Sequence, residues 1–229
     1  MIKQLHRKAR ILLFRHTSND WQYMVQVILL SILIGFPFFG SWLPYPLSVF
    51  DVLFIGFVLY SLVLLESPSF SLLFTGLGAL VLLSLQLGTY VDQAVGPNWL
   101  SKTEALLLVL FFILLGTRLT LDALRERISM KLLYISVINY FNIGILFSFL
   151  YRIEHFRDAT ALNFSFAEEY NYLYMSFVVL SSVGLGDLLP QNTPAKSLVI
   201  IEALLGQLYL TFFVAMIIGK YFAEVKENK

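Results

Sequence analysis

The sequence predicts an all-α membrane protein with six transmembrane helices and one shorter apolar segment that enters the membrane and returns. Three observations predict this class: 58% of the 229 residues are apolar, only 14% are charged, and apolar runs of roughly 20 residues recur along the chain. Soluble domains average about 25% charged residues, and this composition in water would expose large apolar patches. A soluble enzyme, a disordered chain and a nucleic-acid binder are therefore excluded, and the absence of cysteine excludes disulfides and iron–sulfur clusters.

Six apolar segments can cross a hydrocarbon layer of about 30 Å. The first carries Pro37 and lacks a small-x-small cleavage site, so we interpret it as a signal anchor. The last has 28 residues and, at ~1.5 Å per residue, must tilt or protrude from the membrane. We predict the spans at 24–40, 47–65, 70–89, 104–121, 132–152 and 195–222.

Lysine and arginine cluster on one side of this layout. Twelve of the 16 basic residues flank the first span, the connection from the fourth to the fifth span, and the end of the last. The positive-inside rule makes that side cytoplasmic, so we expect both termini in the cytoplasm of a multi-pass protein of the cell membrane. Residues 1–20 mix apolar and basic residues, which suits either an amphipathic helix on anionic lipid or a simple topology anchor.

Local patterns predict where three helices begin. The stretches 101–104 and 165–168 both have the Ser-x-x-Glu spacing of a capping box. The second of these places acidic residues, including Glu169, at the positive end of a short helix. Thr193 followed by Pro194 predicts the cap and first residue of the last helix, because proline lacks only an amide that has no partner there.

The short helix is the apolar and aromatic stretch 170–181, which is too brief to cross the membrane. We predict that it is re-entrant and that its negative, C-terminal end faces the membrane interior, where it favours a cation. The irregular segment that follows is tolerated at membrane depth only if it is buried in protein or lines a watery path. Gly184 and Gly186 can adopt positive φ, so successive carbonyls can face one side and replace a cation's water shell.

The segment from Ser182 to Asp187 resembles the Thr-Val-Gly-Tyr-Gly-Asp signature of the potassium channels, whose filter selects ions with rings of backbone carbonyls. The resemblance covers about 132–222 and implies an outer helix, a pore helix, a filter and an inner helix. It implies passive, potassium-selective conduction by a homotetramer around one pore axis. The residues implied to bind the permeant K⁺ are Ser182, Val183, Gly184, Leu185 and Gly186, with the Ser182 hydroxyl at the inner end.

Two departures from the family pattern bear on the filter, one within the signature and one in the preceding helix. Leu185 replaces tyrosine and removes a phenolic hydrogen bond that braces many filters, although leucine occurs there in some two-pore-domain potassium channels. Val178 stands where some relatives carry a polar residue that anchors the aspartate. Asp187 is therefore either a solvated turn residue or bonded to another partner, for which we predict the Tyr174 hydroxyl. Together with Ser181, these two residues are the predicted filter supports.

The last span carries the candidate cavity and gate. Glu202 is interpreted either as one of a pore-facing ring of carboxylates or, as we favour, packed behind the pore helix against Ser176 or Ser181. A helical stripe on this span faces either the cavity or lipid and helix-packing surface, and a constriction at its end closes the pore by dewetting. The predicted gating or cavity residues are Gly206, where the family often has a hinge, Gln207, Thr211, Val214, Ile218 and Phe222.

The fourth span lacks the arginine ladder of a voltage sensor. Arg118 is followed three and six residues on by Leu121 and Leu124, so we interpret it as an anchor that pairs with Glu66. The predicted domains are a basic N-terminal segment at 1–20, a four-helix membrane domain at 21–128 and a pore domain at 129–229.

No further chemistry is predicted. The histidines His6, His16 and His155 lack metal-ligand spacing and are interpreted as ordinary loop residues. We expect no catalytic residue, no organic cofactor, no metal other than K⁺ and no nucleic acid. Only seven residues follow Phe222, so control by a separate regulatory subunit stays open. The alternatives are a weakly selective monovalent cation channel and a transporter or lipid-binding module with a vestigial pore domain.

Overall fold

The structure is a computed structural model that describes residues 21–35, 56–61, 99–126, 129–166 and 169–227. Within these ranges the chain is helical, apart from short connections and one isolated antiparallel bridge between Leu162 and Pro190. The helices are α1 (Trp21–Gly35), α2 (56–61), α3 (Trp99–Arg125), α4 (Met130–Arg157), α5 (Glu169–Leu180) and α6 (Thr193–Glu227).

Three of the described helices are long and apolar enough to cross a membrane. They are α3 from Lys102 onward, the whole of α4, and α6 as far as Lys220. They confirm the spans predicted at 104–121, 132–152 and 195–222. Helix α1 is apolar but shorter and overlaps the predicted span 24–40 at 24–35, whereas α2 covers a part of 47–65. The predicted span 70–89 lies outside the described residues.

The main hydrophobic core lies between α1, α2, α3 and α4. Leu30 of α1, Phe57 of α2 and Phe112 of α3 are each almost fully buried in it. The rings of Phe57 and Phe112 stack with centroids 6.2 Å apart. In the same region the buried Gln26 side chain donates to Ser61 Oγ at 2.9 Å. Such hydrogen bonds hold helices together in lipid, where apolar burial alone gives little preference for a neighbouring helix.

Helices α3 and α4 pack closely through a small residue and two asparagines. A Cβ added at Gly116 would lie 2.7 Å from Asn142 Nδ2 and would push the Asn142 amide aside. Asn142 donates to the Phe112 carbonyl at 2.9 Å, and Asn139 donates to Thr120 Oγ1 at 2.9 Å. These contacts hold α3 against the outer face of α4.

Two predicted helix starts are wrong. Helix α3 begins at Trp99, so Ser101 is its third residue and not its cap. The cap of α6 is Asn192 rather than Thr193, because Asn192 Oδ1 accepts from the Ala195 amide at 2.9 Å. Asparagine is among the strongest capping residues, and here its side chain is also fixed by carboxylates at the end of α4.

The starts of α5 and α4 also differ from what the local patterns predict. Helix α5 begins at Glu169, later than the pattern at 165–168 predicts, and Ala167 and Glu168 lie outside the described residues. Helix α4 has the cap Ser129, whose side chain accepts from the Leu132 amide. Ser129 was not among the predicted capping residues.

The far end of α6 is tied to the end of α3. Lys220 Nζ donates to the carbonyls of Ala123 at 2.8 Å and of Glu126. These carbonyls belong to the last turn of α3 and to the residue after it, where a cation is favoured by the helix dipole. Arg118 pairs with Asp122 at 3.1 Å. Its predicted partner Glu66 lies outside the described residues, so that pairing stays a prediction.

Candidate functional site

Helix α5 lies against both α4 and α6 and carries the segment predicted as re-entrant. Its 12 residues agree with the predicted stretch to within one residue at each end. Ser176 Oγ lies 2.6 Å from the Gly144 carbonyl of α4. A Cβ at Gly144 would lie 2.8 Å from the ring of Phe177, so this glycine lets α5 approach α4 closely.

Helix α5 ends in a Schellman turn at Ser182. The Ser182 amide donates to the Val179 carbonyl at 2.9 Å, and the Val183 amide donates to the Val178 carbonyl at 3.1 Å. This pair of bonds requires a residue with positive φ at the turn, usually glycine, and Ser182 has a φ of 58°. Sequence reasoning assigned positive φ to the glycines alone and missed Ser182, because serine carries no signal for this conformation.

The backbone after this turn alternates between positive and ordinary φ. Gly184 and Gly186 have φ of 58° and 79°, as the sequence predicted. The Gly184 amide also donates to the Val178 carbonyl, at 3.3 Å. In a trans peptide the carbonyl points opposite to the amide of the next residue. The carbonyls of Ser182 and Val183 therefore point away from α5, on one common side of the segment.

The side of the segment away from α5 is open in a single chain. Every residue from 181 to 187 is exposed, and the side chains of Val183 and Leu185 are 60% and 63% exposed. A short strip of outward carbonyls is thus presented by each chain.

Asp187 has the partner that the sequence predicted. Its Oδ2 accepts a hydrogen bond from the Tyr174 hydroxyl at 2.7 Å. This bond is the largest of the causes that hold the pKa of Asp187 below its ordinary value. Asp187 is exposed yet bonded, so its interpretation as a merely solvated turn residue is wrong.

Asn163 also fixes the segment, and sequence reasoning missed it. Its Nδ2 donates to the Asp187 carbonyl at 3.0 Å, and its Oδ1 accepts from the Leu189 amide at 2.7 Å. The neighbouring Gln191 amide donates to the Ala161 carbonyl at 2.7 Å. The loop before α5 thus pairs with the loop that follows residues 182–187, which we call the filter-like segment. A lone asparagine in a loop has no spacing that could have revealed this role.

Glu202 lies behind α5 and does not face an open pore. Its side chain is fully buried. Oε2 accepts from the Tyr151 hydroxyl at 2.6 Å, and Oε1 lies 2.5 Å from Ser176 Oγ. This arrangement confirms the favoured interpretation and contradicts a pore-facing ring of carboxylates. Ser181 takes no part, because its hydroxyl donates to the Phe177 carbonyl at 2.6 Å.

Gly206 and Gln207 are the points at which α6 meets the end of α5. A Cβ at Gly206 would lie 2.5 Å from the Leu180 carbonyl oxygen, so the glycine allows two backbones to touch. Gln207 Nε2 donates to Ser182 Oγ at 2.8 Å. The two residues were predicted for the cavity or gate, and the structure brings both to the base of the filter-like segment.

The other predicted cavity residues lie farther along α6. Thr211 Oγ1 donates to the Gln207 carbonyl at 2.8 Å. Val214, Ile218 and Phe222 are 54%, 50% and 65% exposed in the single chain. They belong to an open surface of α6, and whether they line a cavity stays a prediction.

His155 is not a loop residue, contrary to the prediction. It lies on α4, which extends to Arg157, and it is buried. Its Nδ1 is 2.7 Å from the Tyr172 hydroxyl, and its ring stacks on Phe166 with centroids 3.8 Å apart. His155 therefore joins the end of α4 to α5. His6 and His16 lie outside the described residues.

A polar cluster joins the same end of α4 to the start of α6. Asn192 Nδ2 donates to Glu154 Oε1 at 2.8 Å and to Asp158 Oδ2 at 2.9 Å. Arg157 forms a two-point ion pair with Glu154, at 2.8 and 2.5 Å. Hydrogen bonds from Thr160 and then Asn192 lower the pKa of Asp158 to about 2. In the described part of the chain, no group of three or more potential ligands is placed to hold a metal ion.

Comparison with known proteins identifies this same part of the chain. Residues 135–223 match a family model described as ion channel. The match runs from the first turns of α4 to the last turns of α6 and includes the Schellman turn and the segment after it. No curated protein and no solved structure matches the chain. The match supports an ion-channel function for this part of a membrane protein.

Proposed function

We propose that the protein is a potassium-selective channel of the cell membrane, formed by four copies of the chain around one pore. The observation that carries the proposal is the backbone of 182–186, where positive φ alternates with ordinary φ and the first carbonyls point away from α5. Such carbonyls replace the water shell of a dehydrated cation. The match of 135–223 to an ion channel family supports it.

The permeant ion is K⁺, and no organic cofactor takes part. The motif from Ser182 to Asp187 differs from the potassium-channel signature at the serine and at Leu185. Leu185 has no hydroxyl with which to brace the loop from behind. For this reason a weakly selective monovalent cation channel is the second candidate, and the measured K⁺/Na⁺ ratio decides between the two.

Exposure along α6 supports assembly into a homotetramer. Only 11% of the residues in the most apolar window of α6 are buried within one chain, against 56% in α4. A helix that lines a pore on one side and contacts neighbours on another is expected to have few contacts inside its own chain. Each chain supplies one carbonyl strip, and the potassium-channel filter that the motif resembles is built from four such loops.

The proposed orientation places both termini in the cytoplasm. The basic clusters around α3, α4 and the end of α6 support it through the positive-inside rule. Residues 1–20, proposed to contact anionic lipid, lie outside the described residues. The gating stimulus would come through the 21–128 domain or through a separate subunit.

The test is flux in liposomes that contain the purified protein. We expect a barium-sensitive K⁺ conductance whose reversal potential follows the K⁺ gradient and is insensitive to a Na⁺ gradient. Gly184→Ala and Gly186→Ala abolish it, because alanine is strained at positive φ. Gly219→Ala on α6, where a Cβ meets nothing within 4 Å, is the matched control and retains conductance.

Two results contradict the proposal. The first is equal permeability to K⁺ and Na⁺, which would favour the weakly selective channel. The second is flux that continues in both glycine variants, which would remove 182–186 from the conduction path and favour a transporter or lipid-binding module built on the first helices.

A further inference from the structure

The hydroxyl of Ser182 stands at the inner end of the proposed filter and has one side-chain partner on another helix. Gln207 Nε2 donates to Ser182 Oγ at 2.8 Å. The two residues are 25 positions apart and lie on separate elements. Both residues are exposed within the single chain.

Serine at this position has more freedom than the threonine of the resembling signature. The β-methyl of threonine restricts rotation about χ1, and Ser182 lacks it. A hydroxyl that rotates between three staggered positions presents its oxygen toward the pore axis only part of the time. A hydrogen bond from a neighbouring helix restores a single orientation.

Gly206 makes this hydrogen bond geometrically attainable. With no Cβ, it lets the α6 backbone approach the Leu180 carbonyl, which a Cβ would meet at 2.5 Å. The residue that follows, Gln207, is thereby carried to the end of α5. Its backbone carbonyl is held by Thr211 Oγ1 at 2.8 Å, and its side chain reaches the Schellman turn.

We propose that Gln207 is a positioning residue for the innermost ion site, where it orients the Ser182 hydroxyl so that its oxygen completes the coordination of a partly dehydrated cation. The inference rests on the proposed channel function and adds a selectivity determinant outside the filter segment itself. Gln207 acts through Ser182 and does not itself replace the cation's water.

The experiment measures block by Ba²⁺ applied from the cytoplasmic side, together with the K⁺/Na⁺ permeability ratio. Ba²⁺ is close to K⁺ in size with twice its charge, so it reports the inner site strongly. Gln207→Ala weakens Ba²⁺ block by about threefold to tenfold, the effect of one lost hydrogen bond. The permeability ratio falls in the same variant.

Gln207→Asn tests whether the length of the side chain matters or only the presence of its amide group. It keeps the amide but shortens the side chain by one carbon–carbon bond, about 1.5 Å, so the nitrogen no longer reaches Ser182. We expect Gln207→Asn to behave like Gln207→Ala. If it behaves like the unmodified protein, the amide matters only as a polar group in the cavity and the inference is wrong. Gln191→Ala, a change of the same chemistry outside the filter, is the matched control.

A double-variant cycle tests whether the effect passes through the hydroxyl. Ser182→Gly removes the hydroxyl at a position whose φ of 58° suits glycine. On this background Gln207→Ala should change Ba²⁺ block by less than about twofold. An undiminished effect there overturns the inference. If the unmodified protein shows no barium-sensitive flux at all, the channel proposal fails instead, so the two failures are distinguishable.

Discussion

The hydrogen bond from Tyr174 helps the Asp187 carboxylate to keep its charge at low pH. Because the bond from Tyr174 lowers the pKa of Asp187, the carboxylate's contribution to filter stability is complete above the ordinary aspartate pKa. It is lost as the pH falls through the lowered value. Tyr174→Phe removes the bond, so we expect acid-induced loss of conduction to begin at a higher external pH, measured as K⁺ current against pH.

Tyr170→Phe is the control for this prediction. Tyr170 lies on the same helix, and its hydroxyl donates to the Ile34 carbonyl at 3.4 Å rather than to a carboxylate. Removal of the Tyr170 hydroxyl should not change the external pH at which the K⁺ current begins to fall on acidification. Equal shifts in both variants would mean that the phenol acts through packing and not through Asp187.

Hydrogen-bond counting assigns a proton to Glu202. Ser176 Oγ lies close to two oxygens that accept, the Gly144 carbonyl at 2.6 Å and Glu202 Oε1 at 2.5 Å. A serine hydroxyl has a single proton, so both contacts are full two-centre hydrogen bonds only if the carboxyl group donates to Ser176. The amide of Glu202→Gln can donate in the same way. We therefore expect the free energy of unfolding of this variant to lie within about 1 kcal/mol of that of the unmodified protein.

Glu202→Ala provides the contrast. It leaves a buried cavity and takes the partner from Tyr151, which together cost about 2–5 kcal/mol. Thermal unfolding in detergent measures both variants. A Gln variant as unstable as the Ala variant would show that Glu202 is ionised in the folded protein.

At the scale of residues, sequence reasoning found partners whose chemistry is explicit and missed those created by the chain path. The bond between Tyr174 and Asp187 followed from a valine where an anchor was expected, which left the aspartate in need of a donor. Asn163 and His155 gave no such signal, because their roles depend on where a loop and a helix end meet. Ser182 was assigned a hydroxyl role, but not its positive φ.

Gly206 controls how closely α6 approaches α5. In Gly206→Ala the new Cβ meets backbone, the Leu180 carbonyl oxygen at 2.5 Å, and backbone cannot move aside as a side chain can. We expect a loss of about 1–3 kcal/mol in stability, seen as a lower Tm, and weaker Ba²⁺ block because Gln207 is displaced.

Gly219→Ala tests the same substitution on the same helix in open space. Alanine is favoured over glycine within a helix by about 0.5–1 kcal/mol, so this variant should be as stable as the unmodified protein or more so. If both glycine variants lower the Tm equally, the close approach at Gly206 is not the cause.

The cap of α6 joins two elements by one side chain. Asn192→Ser keeps an oxygen for the Ala195 amide but removes both donors to Glu154 and Asp158. Asn192→Asp keeps the oxygen and adds a third carboxylate. We expect the Asp variant to be the less stable of the two at pH 7, and its stability to rise relative to the Ser variant as the pH falls and carboxylates are neutralised. Tm measured against pH checks the order.

At the scale of elements, the bounds of a helix were predictable where the length of an apolar stretch sets them, and less so where a capping residue sets them. Helix α5 was predicted closely because apolar residues fill a stretch too short to span. The start of α6 was misplaced by one residue, because Asn192 and Thr193 are both residues that commonly cap helices. Asn192 is the cap because its side chain also donates to carboxylates at the end of α4. Spacing within one helix carries no information about such a neighbour.

A ring of four chains makes a specific prediction for mixed assemblies. If one Gly186→Ala subunit is enough to close the filter, equal amounts of variant and unmodified chain leave about one sixteenth of the tetramers intact, the fourth power of one half. Residual K⁺ current near this fraction, with protein amount controlled, supports four subunits. A residual near one quarter would indicate a dimer.

At the scale of the whole molecule, composition predicted a helical membrane protein, and the resemblance of 182–187 to the potassium-channel signature predicted an ion-channel region. The ion channel match at 135–223 and the spans of α3, α4 and α6 agree with that part. The span at 70–89 and the segment 1–20 lie outside the described residues, so the six-span layout stays a prediction. The proposed assembly is supported only indirectly, by the low burial of α6 within its own chain.

The Schellman turn at Ser182 has a consequence for grafting. The Val178 carbonyl holds the amides of both Val183 and Gly184, so the last turn of α5 serves as the template on which the carbonyl strip is shaped. A filter loop moved alone into a foreign scaffold would lose that template, however faithful its own residues. Helix α5 and the loop therefore have to be moved together, and the hydrogen bonds that Asn163 makes with Asp187 and Leu189 have to be rebuilt in the scaffold.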